Sequence, residues 1–170
     1  YSHHPERQQE YFALALADSR AVLQRERRGT LFADVERQLD LYLRALWRDD
    51  DQLVPYSTAF DEMRKPVPYF DKLVPDVFEA ERGIAGIDRY RAVLAHMVGH
   101  RRWSTAQIAD NWSPFQRMAV EFFEDCRVDT LLIREYPGLR RLLLALHPKP
   151  VEGACDPETT SCLRHRLAML

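Results

Sequence analysis

The sequence has little of what marks secreted, membrane-spanning or nucleic-acid-binding proteins. Its three cysteines, Cys126, Cys155 and Cys162, cannot all pair, so a disulfide framework of the secreted type is not expected. No apolar run approaches the roughly 20 residues of a membrane-spanning helix, and no signal peptide opens the chain. With 24 basic and 26 acidic residues, the chain lacks the basic surplus of most nucleic-acid-binding proteins. We therefore expect a cytoplasmic protein without a nucleic-acid partner or a membrane span.

The chain contains enough apolar material for about one globular domain. It has 170 residues, of which 46% are hydrophobic and 11% aromatic. It carries neither the glycine pattern of a phosphate-binding loop nor a nucleophile elbow, and it has no internal repeat. Because it starts at Tyr1 and stops at Leu170 inside a predicted helix, we expect it to be a piece of a longer protein.

Hydrophobic periodicity predicts a mainly helical α+β fold. Four prolines between Asp49 and Gly86 break the helical pattern, and short runs there, Leu53–Tyr56 and Val67–Phe70, suit strands or extended loops. The helix predicted from Ser113 to Tyr136 is apolar on nearly all sides, which predicts that it is mostly buried. The other predicted helices are 5–28 in two parts, 31–47, 86–103, 138–146 and one from about 159.

Two histidines on the predicted 86–103 helix form the most informative motif. His96 and His100 are four residues apart, so both imidazoles lie on one helix face and can reach one metal ion. Zinc proteases use this spacing in H-E-x-x-H, where the glutamate is the general base. Here Met97 occupies the position of that glutamate, and a thioether cannot take a proton from zinc-bound water. The motif therefore predicts a metal site without hydrolytic activity.

The next predicted helix supplies acidic residues at a workable distance from the histidines. Glu121 and Asp125 share one face, as do the third zinc ligand and the histidine-orienting aspartate of zinc proteases of the gluzincin kind. We predict His96, His100 and Glu121 as zinc ligands, with Asp125 and Glu124 behind them in supporting positions.

Three other interpretations of the metal-ligating and acidic residues of the chain stay open. The histidines and carboxylates can form a buried hydrogen-bonded network without metal. Cys155 and Cys162, with His147 or His165, can form a separate small metal site, although their spacing matches no standard zinc module. A true zinc hydrolase would need Glu124 or Glu121 as its base.

The chain resembles the CbbO and NorD family over nearly its whole length. Several blocks between Gly86 and Leu142 carry this resemblance, and the upstream segments 18–27 and 53–57 resemble the longer CbbO-type members. The central blocks are 86–92, 96–104, 108–111, 113–117, 124–127 and 136–142.

The resemblance implies a non-catalytic adaptor. Proteins of this family carry a von Willebrand factor A domain towards the C-terminus and link a MoxR-class AAA+ ATPase ring to a client enzyme. The client is Rubisco in the CbbO branch, which we favour, or nitric oxide reductase in the NorD branch. ATP hydrolysis would then belong to the ring. We accordingly predict a helical arm at 1–48, a degenerate zincin-like (metallopeptidase-like) domain at 49–150, and a linker with the start of a further helix at 151–170. The von Willebrand factor A domain is expected beyond residue 170.

Overall fold

The computed structural model describes residues 28–56, 72–108 and 110–147. This part of the chain is a mainly helical α+β structure, 63% helical, which confirms the predicted class. None of its helices is both long and apolar enough to cross a lipid bilayer. The helices are α1 (Phe32–Trp47), α2 (Gly86–Trp103), α3 (Pro114–Glu135), a 3₁₀ turn (Pro137–Leu139) and α4 (Arg140–Leu146), and the strands are β1 (Thr30–Leu31), β2 (Leu53–Tyr56), β3 (Lys72–Pro75) and β4 (Val77–Phe78).

Apolar periodicity predicts the range of α2, and capping and proline signals account for the bounds of α3. Helix α2 spans the predicted range, and α3 begins after Ser113, whose hydroxyl accepts a hydrogen bond from the Gln116 backbone N–H in a complete capping box. Pro137 ends α3 and opens the 3₁₀ turn, so the segment predicted as one helix from residue 138 begins with a tighter turn. The predicted helices before residue 28 and after 158, and the run Val67–Phe70, lie outside the described residues.

Four short strands form two small sheets. Strand β1 pairs with β4 in antiparallel orientation, and β2 pairs with β3 in parallel orientation, with Leu53 opposite Lys72. The second pairing places the Lys72 ammonium, which is buried, 2.6 Å from carboxylate oxygens of both Asp49 and Asp51. Arg101 near the end of α2 also pairs with Asp51. These ion pairs hold the segment after α1 against β3 and α2.

Two hydrophobic clusters form the core. The first joins α1, β2, β3 and α2, so the described part of the predicted 1–48 arm shares a core with the rest. The second joins α2, α3 and α4. Trp47, at the end of α1, packs against both clusters. The centroid of its ring lies 4.2 Å from that of Tyr136. The largest fully buried side chains are Leu39, Leu43, Val74, Tyr90, Leu94, Val128 and Leu132.

The prediction that α3 is mostly buried is wrong. Only Val128 and Leu132 of this helix are buried, whereas Phe115, Val120 and Phe123 are exposed. The C-terminal half of α3 packs on α2 and joins the second hydrophobic cluster with Leu143 of α4, whereas its N-terminal half leaves these three apolar side chains about half exposed. Apolar periodicity shows which faces of a helix can be buried, but the neighbouring elements decide which of those faces are in fact buried.

The contact between α2 and α3 is unusually close at Gly99. A Cβ built on Gly99 would lie 2.6 Å from Val128 Cγ1 and 3.1 Å from Leu132 Cδ1, both on fully buried side chains. The missing side chain therefore lets the two helices approach each other, directly before His100 and about one turn after His96.

Replacing Gly99 with alanine is expected to lower the free energy of unfolding by about 1–3 kcal/mol, because the added methyl group overpacks the helix contact. The matched control is Gly138→Ala, where a Cβ would meet no atom within 4 Å. Urea unfolding followed by circular dichroism measures both variants. Equal stability of the two would contradict the close contact.

Candidate metal centre

Helix α2 brings the two histidines together on the face that packs against α3. The Nε2 atoms of His96 and His100 lie 2.9 Å apart, and the ring centroids are 4.5 Å apart at a steep angle. Both rings therefore aim the same nitrogen at one point, as two ligands of one ion do. This confirms that their four-residue spacing puts both imidazoles within reach of a single site.

Asp125 on α3 completes a group of three. Its Oδ1 lies 3.1 Å from His100 Nε2 and 3.5 Å from His96 Nε2. Two ligands of a tetrahedral zinc ion with bonds near 2.0–2.1 Å are about 3.3 Å apart. The three distances in this group lie on either side of that value. His96, His100 and Asp125 thus form a group that could hold a metal ion.

Hydrogen bonds on the far side of each ring fix its orientation. His96 Nδ1 lies 2.8 Å from Asp129 Oδ1, and His100 Nδ1 lies 2.9 Å from Ser104 Oγ. Ser104, directly after the end of α2, donates its hydroxyl proton to Glu124 at 2.5 Å. Metal-binding histidines commonly donate their second N–H to such an acceptor.

Arg127 closes this network. Its guanidinium donates to both carboxylate oxygens of Glu124, at 2.6 and 2.7 Å, and to the Trp103 carbonyl at 2.8 Å. The last contact satisfies a carbonyl at the C-terminus of α2 that has no partner within the helix. Hydrogen bonds from Arg127 and Ser104 lower the pKa of Glu124 to about 2, so this carboxylate is ionised at neutral pH.

The hydrogen-bond partners also determine where the protons are. An ionised Asp129 can only accept, so His96 Nδ1 carries a proton. The single O–H of Ser104 donates a hydrogen bond to Glu124, so Ser104 Oγ accepts a hydrogen bond from His100 Nδ1. In neutral rings both Nε2 atoms are then unprotonated. Two nitrogen lone pairs and the Asp125 carboxylate meet without a donor between them. A cation in this place, either an additional proton or a metal ion, would satisfy all three acceptors.

The pKa values of His96 and Asp125 in the metal-free group agree with this distribution of protons. Burial alone would lower the pKa of His96, but hydrogen bonds and charges from Asp125 and Asp129 outweigh it and raise this pKa to about 9. Partial burial would raise the pKa of Asp125, but hydrogen bonds from His100 and His96 hold it well below its usual range. A proton therefore takes the place of the cation when no metal is bound.

The structure brings together most, but not all, of the residues predicted for this site. Asp125, predicted in a supporting position, lies beside the imidazoles, and Asp129 one turn later orients His96. Glu121 is exposed and is not part of the three-residue group. Glu124 does stand behind a histidine, through Ser104. The metal site predicted around Cys155 and Cys162 lies outside the described residues.

Asp129 and Ser104 are the functional residues that sequence reasoning did not assign to the site, whereas Arg127 was among the candidate partners expected for the carboxylates of this helix. A signal for Asp129 was present, because Asp125 and Asp129 share one helix face with the same four-residue spacing as Glu121 and Asp125. Nothing in a single sequence says which of the two pairs faces the histidines. Ser104 had no recognisable motif.

Comparisons of the chain with family models, with curated proteins and with solved structures find no match. The family resemblance and the zincin-like description of the core accordingly remain predictions from the sequence.

The purified chain is expected to bind about one zinc ion, used here as the probe, and the His96→Ala variant is expected to bind none. Asp125→Asn should weaken binding about 10-fold or more, because the ligand loses its charge. Glu121→Gln is the matched control, since Glu121 lies outside the group. Elemental analysis after dialysis measures the stoichiometry. Zinc retained by Asp125→Asn but lost by Glu121→Gln would restore the original ligand prediction.

The metal-free protein is expected to lose stability as the pH rises from about 6.5 to about 9. Because the pKa of His96 is raised from 6.5 to about 9, its contribution is fully present below pH 6.5 and disappears as the pH passes 9. The loss is on the order of 3 kcal/mol. Urea unfolding at pH 6 and pH 9 measures it, with His96→Gln as the control. Equal pH dependence of both proteins would contradict the raised pKa.

Proposed function

We propose that the described residues form a non-catalytic, zinc-stabilised part of an adaptor of the CbbO/NorD kind. Such an adaptor would couple a MoxR-class AAA+ ATPase ring to a client enzyme in the cytoplasm. Rubisco is the client that we favour, on the resemblance of the upstream segments to CbbO-type proteins, and nitric oxide reductase is the alternative within the family. The zincin-like core would serve here as a scaffold.

The observation that carries the non-catalytic part of this proposal is the position of Met97. This residue follows His96, where a zinc protease has its general base, and its side chain packs against the first hydrophobic cluster. A thioether accepts no proton from zinc-bound water, and this one contributes to the core.

The carboxylates near the site offer no good substitute for that base. Glu124 has a pKa of about 2 and is bound on both oxygens by Arg127, so it is a weak proton acceptor at neutral pH. Asp129 is occupied by His96. Glu121 lies outside the group. The zinc hydrolase alternative would depend on moving one of these residues.

Zinc is the metal that the donor set favours. Two imidazole nitrogens and one carboxylate oxygen at tetrahedral spacing suit it, whereas calcium and magnesium prefer all-oxygen sites. The ligands come from two helices, His96 and His100 from α2 and Asp125 from α3. A bound ion would therefore add to the contact between these helices and stabilise the scaffold.

A surface for partners is available beside this scaffold. A cleft of about 470 Å³ lies where α1 and α2 end, and its walls carry three arginines and two aromatic rings. Arginine, tryptophan and tyrosine are the residue types most enriched among residues that dominate binding energy at protein interfaces. This supports an adaptor more than an enzyme. The residues lining the cleft are Leu46, Trp47, Arg48, Asp49, Asp50, Val98, Arg101, Arg102 and Tyr136.

The adaptor proposal predicts that a protein containing this chain co-elutes with a MoxR-class ATPase ring and changes its ATPase rate. Arg48→Ala should weaken this association, because Arg48 lines the cleft and has no ion pair within the described residues. Arg44→Ala is the matched control, because Arg44 lies one turn earlier and pairs with Asp40 outside the cleft. Size-exclusion chromatography and an ATPase assay measure both effects. Absence of co-elution and of any change in ATPase rate would overturn the proposal.

Hydrolase activity is tested on the same preparation. The zinc-loaded protein should not turn over a generic peptide or phosphoester substrate. Turnover that disappears in Glu124→Ala or in Glu121→Ala would favour the hydrolase instead.

A further inference from the structure

The three-residue site leaves one coordination position of a tetrahedral ion without a ligand from the described chain. Structural zinc sites are usually closed by four protein ligands, whereas sites with three protein ligands bind water or another molecule in the fourth position. His96, His100 and Asp125 provide three, and the other carboxylates that the structure places around them, Glu124 and Asp129, are engaged by Arg127 and His96.

We propose that this fourth position is filled by a carboxylate supplied from outside the chain. The inference rests on the proposed metal site and extends it. The adaptor of the proposed function would thus bind an acidic group directly through its metal, in addition to any contact made by the arginine-lined cleft.

Access to the site is the first step of the argument. The side chain of Asp125 is 49% exposed, and those of His96 and His100 are 27% and 33% exposed. All three side chains are thus partly exposed in the described structure rather than sealed in the core, which is what an incoming ligand requires to reach the ion.

Charge is the second step. The only charged ligand among the three is Asp125, so its single negative charge leaves one positive charge on a divalent ion. The negative charges of Glu124 and Asp129 are directed away from the ion, the first towards Arg127 and the second towards the Nδ1–H of His96. An anionic oxygen is therefore a better fourth ligand than a neutral one. Among anionic oxygen ligands of zinc, the carboxylate is the one that protein side chains provide.

Glu121 is the competing ligand among the described residues. It lies one helical turn before Asp125 and is exposed, outside the three-residue group. If a rotation of its side chain filled the fourth position, the site would be closed and no external carboxylate would enter. The test therefore includes a Glu121 variant.

The experiment uses the chain loaded with Co²⁺, which takes the same ligands as zinc and absorbs visible light in a way that depends on its coordination. Acetate is titrated as the probe, with acetamide, its neutral counterpart of similar shape, as the control. The expected result is a saturable change of the visible spectrum with acetate and none with acetamide. Wild type and Glu121→Gln should respond alike, and His96→Ala should show no protein-bound cobalt spectrum.

A cobalt spectrum that does not respond to acetate, or responds only in Glu121→Gln, would overturn the inference and leave the metal site standing. Absence of a protein-bound cobalt spectrum in the wild type would overturn the metal site and this inference together. The adaptor proposal is tested separately by co-elution with the ring.

A peptide with one aspartate, compared with the same peptide carrying asparagine, identifies the source of the carboxylate. A spectral change with the aspartate peptide assigns the position to an acidic side chain of another protein. A change with acetate alone limits it to small carboxylates.

Discussion

The close approach of α2 and α3 at Gly99 is the constraint on which the rest of the structure depends. Because no side chain separates the helices there, Val128 and Leu132 pack directly on the α2 backbone. This contact sets how far α3 is shifted along α2, and a helix shifted by one turn moves its side chains by about 5.4 Å. The observed register places Asp125 beside both imidazoles, Asp129 behind His96, and Arg127 under the last carbonyls of α2. The second hydrophobic cluster and the polar group are thus two results of one packing arrangement.

Helix α2 has a partner on two different faces, which explains why it is the centre of the molecule. One face, with Tyr90, Leu94 and Val98, belongs to the first cluster, and Met97 packs there too. The other face carries His96 and His100 towards α3. A catalytic base beside His96 would have to leave the first cluster and turn towards the histidines. The same residue cannot fill the core and serve a metal-bound water, and this chain uses it for the core.

His96, His100 and Asp125 form a partly buried cluster whose facing atoms can all act as acceptors, so a cation would stabilise it. Hydrogen bonds to Asp129 and Ser104 favour a proton on the outer nitrogen of each ring, which in neutral rings leaves the inner nitrogens facing Asp125 as acceptors. A proton satisfies this arrangement in the metal-free protein, and a metal ion satisfies it through three bonds at once. A proton and a bound metal ion would therefore compete for one place, and each would add to the contact between α2 and α3.

The sequence by itself determined the elements and the chemistry of the site, whereas tertiary packing decided the register between them. Apolar periodicity along one helix and the capping signal at Ser113 are local, which is why the bounds of α2 and the start of α3 could be predicted. The four-residue spacing of His96 and His100 likewise requires only one helix. Whether Glu121 or Asp125 meets these histidines depends on the position of one helix along another. Both residues lie on the same face of α3, and no local property distinguishes them. The exposure of Phe115 and Phe123 has the same origin, because apolar periodicity describes a helix but not the partners that cover it. The close contact at Gly99 contributes to the first of these, because Val128 and Leu132 of α3 pack directly on the α2 backbone there.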